Sequence, residues 1–113
     1  MHPIQRPGKI VRDKVIEIMH KEGESPDCCE LTQEEFKFWL PYKVVEELME
    51  FVAARVRRSR GEKLRELADL FEACHALRES EGFSEEEIEQ ARKIKARTKG
   101  RFARRLFLFT NPA

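Results

Sequence analysis

KVVEELMEF (residues 43–51) and RELADLFEA (residues 65–73) decide the reading of this chain. Each carries two carboxylates three residues apart, Glu47 and Glu50 in the first, Glu66 and Asp69 in the second, within a segment whose apolar residues recur at helical spacing. Side chains three apart on a helix project from one side, with Cβ atoms about 5–6 Å from each other, so each cassette aims two oxygens at one point. If the two helices are antiparallel neighbours, four carboxylates converge. Their repulsion, worsened by burial near the apolar stripe, calls for a hard divalent cation, Mg²⁺ or Mn²⁺.

Outward from the first cassette, Thr32 with Glu35 reads as a capping box that opens a long helix. Phe36, Leu40, Val44, Val45, Leu48, Phe51 and Val52 give it an apolar stripe at spacings of three and four. Pro41 removes one helical hydrogen bond, which predicts a bend or break shortly before Lys43. The run RVRRSRGEK (residues 55–63) reads as an exposed basic link. The second cassette falls on a helix over about residues 62–80, with Leu64, Leu67, Ala68, Phe71, Cys74 and His75 along one side. Glu66 and Asp69 share another flank with Ala73 and Ala76, whose small size admits a close neighbour. Gly82 ends this helix, and Ser84 with Glu87 caps a further one running to about Lys99. Upstream, residues 1–10 read as extended and a short helix over about residues 11–22 stops at Gly23. Short extended segments are expected near residues 28–31 and 105–109.

The fold class is therefore all-α, one domain over residues 1–113. Two helices with one apolar face each cannot easily close a core in so short a chain, so a homodimer or higher homo-oligomer is expected, its antiparallel pairs completing a four-helix bundle. Charged residues make up 38% and the net charge is +1, which gives no global push toward nucleic acid or membrane. The start, MHPIQRPGK, lacks a signal-like apolar run and no stretch is long enough to span a membrane, so a cytoplasmic protein is expected. Adjacent Cys28 and Cys29 with a separate Cys74 match neither a disulfide framework nor zinc-ligand spacing.

Taken together, the motifs resemble those of the MazG-like and phosphoribosyl-ATP pyrophosphohydrolase-like all-α nucleotide pyrophosphohydrolases. Their signature, E-E-x-x-E, a spacer, then E-x-x-D, is similar to Glu46-Glu47-Leu48-Met49-Glu50, a spacer from Phe51 to Arg65, and Glu66-Leu67-Ala68-Asp69. One subgroup adds K-x-V-R-D-K near the start and K-G-x-F-x-x-R-x-F-L near the end. Here KIVRDK occupies residues 9–14 and KGRFARRLFL residues 99–108, so the resemblance covers nearly the whole chain. Ile16 stands where that subgroup usually has proline, and Pro41 so close to the first cassette is a second departure.

The resemblance implies Mg²⁺-dependent hydrolysis between the α and β phosphates of a nucleotide, with release of pyrophosphate. Glu47, Glu50, Glu66 and Asp69 are the expected metal ligands. Glu46 and Glu47 are the candidate catalytic carboxylates, Glu46 as contact to a second ion or as proton acceptor from the attacking water. Arg12 and Lys14 in the first element, with Lys99, Arg104 and Arg105 in the last, are the cations expected to meet phosphates. Glu72 offers an acceptor for base or ribose, and Phe36, Trp39, Phe83 or Phe102 a flat surface for a base. Against this stands a plainer reading, an acidic face paired with nearby lysines and arginines. A rival class is a nucleic-acid-binding or protein-interaction module built on the acid-free, basic run from Ala91 to Ala113, although no recognition motif is visible there.

Overall fold

The computed structural model describes residues 7–57 and 59–111 and contains four helices: α1 (Val15–Lys21), α2 (Gln33–Arg57), α3 (Arg60–Ser80) and α4 (Glu85–Lys99). No strand occurs among the described residues, so the segments at 28–31 and 105–109 pair with nothing as β-structure. The expected extended start at residues 1–6, and Arg58 of the basic link, lie outside the described residues. Packing divides the chain into two compact units, Met1–Gly82 and Phe83–Ala113.

In the first unit, α2 opens where its capping box demands. The Thr32 N–H donates to Glu35 Oε1 at 2.8 Å, and the Glu35 N–H donates to Thr32 Oγ1 at 3.2 Å. The helix then runs unbroken through Pro41. The expected break is absent because tertiary packing overrides the local cost of about 3 kcal/mol: Leu40, the residue before the proline, is 1% exposed and pins that turn against the protein. The connection to α3 is shorter than the arginine-rich run suggests. Ser59 caps α3 by accepting from the Glu62 N–H at 3.3 Å, so the helix begins at Arg60 and not at residue 62. α2 and α3 pack together as an antiparallel hairpin, closed at its open end by Lys37 and Glu81 at 3.4 Å.

The hairpin's core is small. Leu40, Ala54 and Ala73 are its buried apolar residues among those described. Ala54 and Ala73 let the two backbones come close, whereas Val45, Leu48 and Val52, expected on the packing stripe with Leu40, remain exposed. The seven-residue α1 is shorter than expected, since Arg12 to Lys14 form a turn closed by the Val15 N–H on the Arg12 carbonyl, and only from Val15 does the helix proceed. Gly23, at φ +87°, supplies the left-handed conformation that ends it.

The second unit holds α4, whose Ser84–Glu87 capping box is complete in both directions, and a tail that is exposed throughout its described length. Phe107 and Phe109 meet edge-to-face at 5.2 Å, as alternate residues of an outstretched chain do. Arg105 adopts φ +55°, an unusual left-handed conformation for a side-chain-bearing residue. All three cysteines are free and exposed, and no helix among the described residues is long and apolar enough to cross a membrane.

Candidate metal centre

Leu40, Glu47 and Ala54 stand seven residues apart along α2, two full turns each time, so Glu47 shares the side of the helix that buries the other two against α3. On α3, Ala73 lies one turn beyond Asp69 and two beyond Glu66, which brings both carboxylates to the face that meets α2. One carboxylate oxygen from each of Glu47, Glu66 and Asp69 lies within 4.8 Å of the others. All three residues are half-buried. Glu50, expected as the fourth ligand, is exposed and outside this group. One turn on from Glu47 it drifts about 60° around the helix, away from the line through Leu40 and Ala54.

Cations close the arrangement from the same unit. Arg12 Nη2 donates to Asp69 Oδ1 at 2.7 Å, across 57 residues of sequence, which brings the KIVRDK element to the carboxylates. Lys43 Nζ lies 2.7 Å from Glu46 Oε2 and 2.9 Å from Glu47 Oε1, its side chain 16% exposed, and Lys9 Nζ approaches Glu46 Oε1 at 3.6 Å. Burial of Lys43 by itself disfavours its charge, yet the hydrogen bonds to Glu46 and Glu47 outweigh it and hold the ammonium above its ordinary range. For Glu46 burial likewise works against the charge, and the hydrogen bond and charge of Lys43, with Lys9 behind it, pull the carboxyl below its usual range.

Lys43 and Lys9 went unnoticed as site residues in the sequence, although Lys43 precedes Glu46 and Glu47 by three and four positions, the spacing at which helical ion pairs form. The pairing that an ordinary acidic face would show is thus present: Arg12 serves Asp69 and Lys43 serves Glu47. Lys14 is exposed at the start of α1. Glu72 is exposed, and His75 beyond it meets Glu79 at 3.4 Å and Arg78 at 3.3 Å. Lys99, Arg104 and Arg105 belong to the second unit, as do Phe83 and Phe102; all five are exposed. Phe36 and Trp39 are half-buried on α2, where Trp39 packs against Phe38 and Tyr42 with ring centres 5.3 and 5.6 Å away.

The donor set suits a hard cation. Three carboxylates from two helices offer only oxygen, and opposite ligands of an ion bound at about 2.0–2.6 Å stand up to about 5 Å apart, a span the observed spacing fits. Three protein ligands leave room for waters and for phosphate oxygens, the mode Mg²⁺ prefers. Compared with known proteins, the chain matches no family model, no curated protein and no solved structure.

Proposed function

We propose that this protein is a Mg²⁺-dependent nucleotide pyrophosphohydrolase that cleaves the α–β phosphoanhydride of a nucleoside triphosphate or related nucleotide. One observation carries the reading: Glu47, Glu66 and Asp69 converge from two helices while Arg12, from a separate element, reaches the same point. A bound divalent cation supplies charge neutralisation on non-bridging oxygens and lowers the pKa of a coordinated water. Glu47, Glu66 and Asp69 hold it, with Mn²⁺ able to replace Mg²⁺ on the same oxygens. Arg12 is placed to exchange its bond to Asp69 for a bidentate grip on a phosphate. Glu50, exposed at the rim, remains the proposed fourth ligand.

Glu46 accepts the proton of the attacking water only after it releases Lys43 or Lys9, and its lowered pKa makes it a weak base in the resting arrangement. Glu46→Gln keeps the shape and removes the base. Lys14, Lys99, Arg104, Arg105 and Glu72 remain the residues proposed to bind the rest of the nucleotide. The working unit is a homodimer, because among the described residues the hairpin buries three apolar side chains and leaves far more exposed.

A second reading is favoured by the ion pairs themselves. Arg12 on Asp69 and Lys9 on Glu46 tie the segment before α1 to α3 and to α2 without any ligand, as a helical interaction protein would use them. A nucleotide panel assayed for pyrophosphate and orthophosphate, with Mg²⁺ and with chelator, separates the two. Pyrophosphate released only with the metal supports the hydrolase. Orthophosphate alone refutes the proposed bond, and no turnover of any nucleotide hands the site to the structural network.

A further inference from the structure

α2 is apolar on two sides. Leu40, Glu47 and Ala54 face α3, whereas Phe38, Tyr42, Val45, Met49, Val52 and Val56 are all exposed, from 37% at Val52 to 75% at Val56. These six recur at alternating steps of four and three, the 3.5-residue repeat of a two-helix seam. Val45 and Met49 sit two residues from Glu47 in either direction, about 200° around the helix, so the exposed stripe is opposite the side that meets α3. No part of the proposed site lies on it.

The order of residue sizes along the stripe is not arbitrary. Its start is bulky, with Phe38 and Tyr42, and its end is slender, with Val52 and Val56. The six positions are symmetric about residue 47. Two copies crossed antiparallel at that point set Phe38 against Val56, Tyr42 against Val52 and Val45 against Met49, each large residue facing a smaller one. That is how close-packed layers fill space. A parallel pair would stack Phe38 on Phe38 and Val56 on Val56, overfilling one end and starving the other.

Charge agrees with the same direction. Exposed Glu34 lies in the first turn of α2, where the cation Lys37 is taken up by Glu81, and exposed Arg55 and Arg60 lie around the other end, so the antiparallel crossing brings acid to base. With Leu48 beside the midpoint, the stripe exposes roughly 700 Å² per copy, the ceiling on what docking there buries and of the same order as the approximately 800 Å² per partner of a standard interface.

We infer that the exposed stripe of α2 is an isologous interface on which a second copy of this chain docks, its α2 antiparallel to the first and crossing it at residue 47. The inference rests on the dimeric reading given above, not on the hydrolase reading. Each dimer then carries its two carboxylate clusters on outward faces, since the seam and the clusters occupy opposite sides of α2.

The test is sedimentation equilibrium of the full chain with Val45→Lys and Met49→Glu. The unmodified protein is expected as a dimer, and each variant alone as a helical monomer by far-ultraviolet circular dichroism. A mixture of the two variants is expected to regain a one-to-one dimer, because residue 45 of one copy faces residue 49 of the other and the introduced charges are opposite. A parallel seam gives no such rescue, so failure of the mixture overturns the antiparallel register. Variants that remain dimeric place the interface elsewhere and overturn the inference while sparing the dimer. A monomeric unmodified chain overturns both.

Discussion

α4 and the α2–α3 hairpin are both dense in charge, and they use it in opposite ways. On α4 the charges answer to neighbours in sequence: Arg92 donates twice to Glu89 three residues away, at 2.9 and 2.6 Å, and three glutamates crowd the positive end of the helix dipole. Nothing on α4 is buried. In the hairpin unit the same residue types reach across the chain, Arg12 to Asp69, Lys9 to Glu46 and Lys37 to Glu81. A carboxylate met only one turn along its own helix, as Glu89 is, reports local helix stability; Glu47 has such a partner in Lys43 but also meets Glu66 and Asp69 from α3. A carboxylate whose partner comes from a distant segment reports a place where elements were brought together, and that is where a binding site is to be sought.

The largest difference expected between the regions is in turnover. Glu47→Ala or Asp69→Ala should lower Mg²⁺-dependent pyrophosphate release at least about 100-fold, since each removes a proposed ligand. Glu89→Ala on α4 should leave it unchanged. Equal losses from both would end the idea that convergence marks the site.

Packing gives the next largest effect. Ala54, fully buried between α2 and α3, has no room to grow, so Ala54→Leu should cost about 1–3 kcal/mol in urea unfolding. Ala91→Leu, on the exposed surface of α4, should cost nothing measurable. A silent Ala54→Leu would mean the two helices are not in close contact.

Lys43→Met should destabilise the hairpin by about 1–2 kcal/mol, because two carboxylates lose a partly buried donor. The pH dependence has a definite sign. The Lys43 contribution is complete below its ordinary 10.5 and is lost as pH rises through the higher folded value, so alkaline melting should begin later in pH for the native chain's lysine than for a free one. Glu46 contributes above its ordinary 4.5 and loses that contribution as pH falls through the lower folded value. Between these limits the native hairpin should hold a constant advantage over Lys43→Met in melting temperature. An advantage that vanishes at neutral pH would refute the network.

The smallest effect belongs to α4. Ser84→Ala removes its cap and should cost about 1 kcal/mol locally, visible as faster amide exchange in the first turns of α4 and absent from α2 and α3. Loss of protection in the hairpin as well would show that the two regions unfold as one.

What the sequence reveals follows the same division. Signals that act within four residues are legible: the Thr32–Glu35 and Ser84–Glu87 boxes open their helices as expected, and Gly82, at φ +80°, follows the end of α3. Ser59 with Glu62 carries the same local signature, but it stands in a run of arginines that reads as a link. The continuous passage of α2 through Pro41 depends on packing around Leu40, which no local rule supplies. The cassettes were legible as pairs, yet which member of each pair faces the other helix depends on the phase of the packed side. That phase is set by Leu40, Ala54 and Ala73, and it admits Glu47 while turning Glu50 to the rim. The reach of Arg12 to Asp69 spans 57 residues and leaves no trace in spacing.

Glu47 stands in one file with Leu40 and Ala54, so the side chains that hold the hairpin shut and those that would hold an ion are the same rank of residues. Occupancy and folding are therefore linked quantities. Any cation that binds the closed hairpin and not the unfolded chain adds RT ln(1 + [L]/Kd), about 2.7 kcal/mol at a hundredfold excess over Kd. The melting curve thus becomes a gauge of what sits among the carboxylates, readable for each metal before any substrate has been identified.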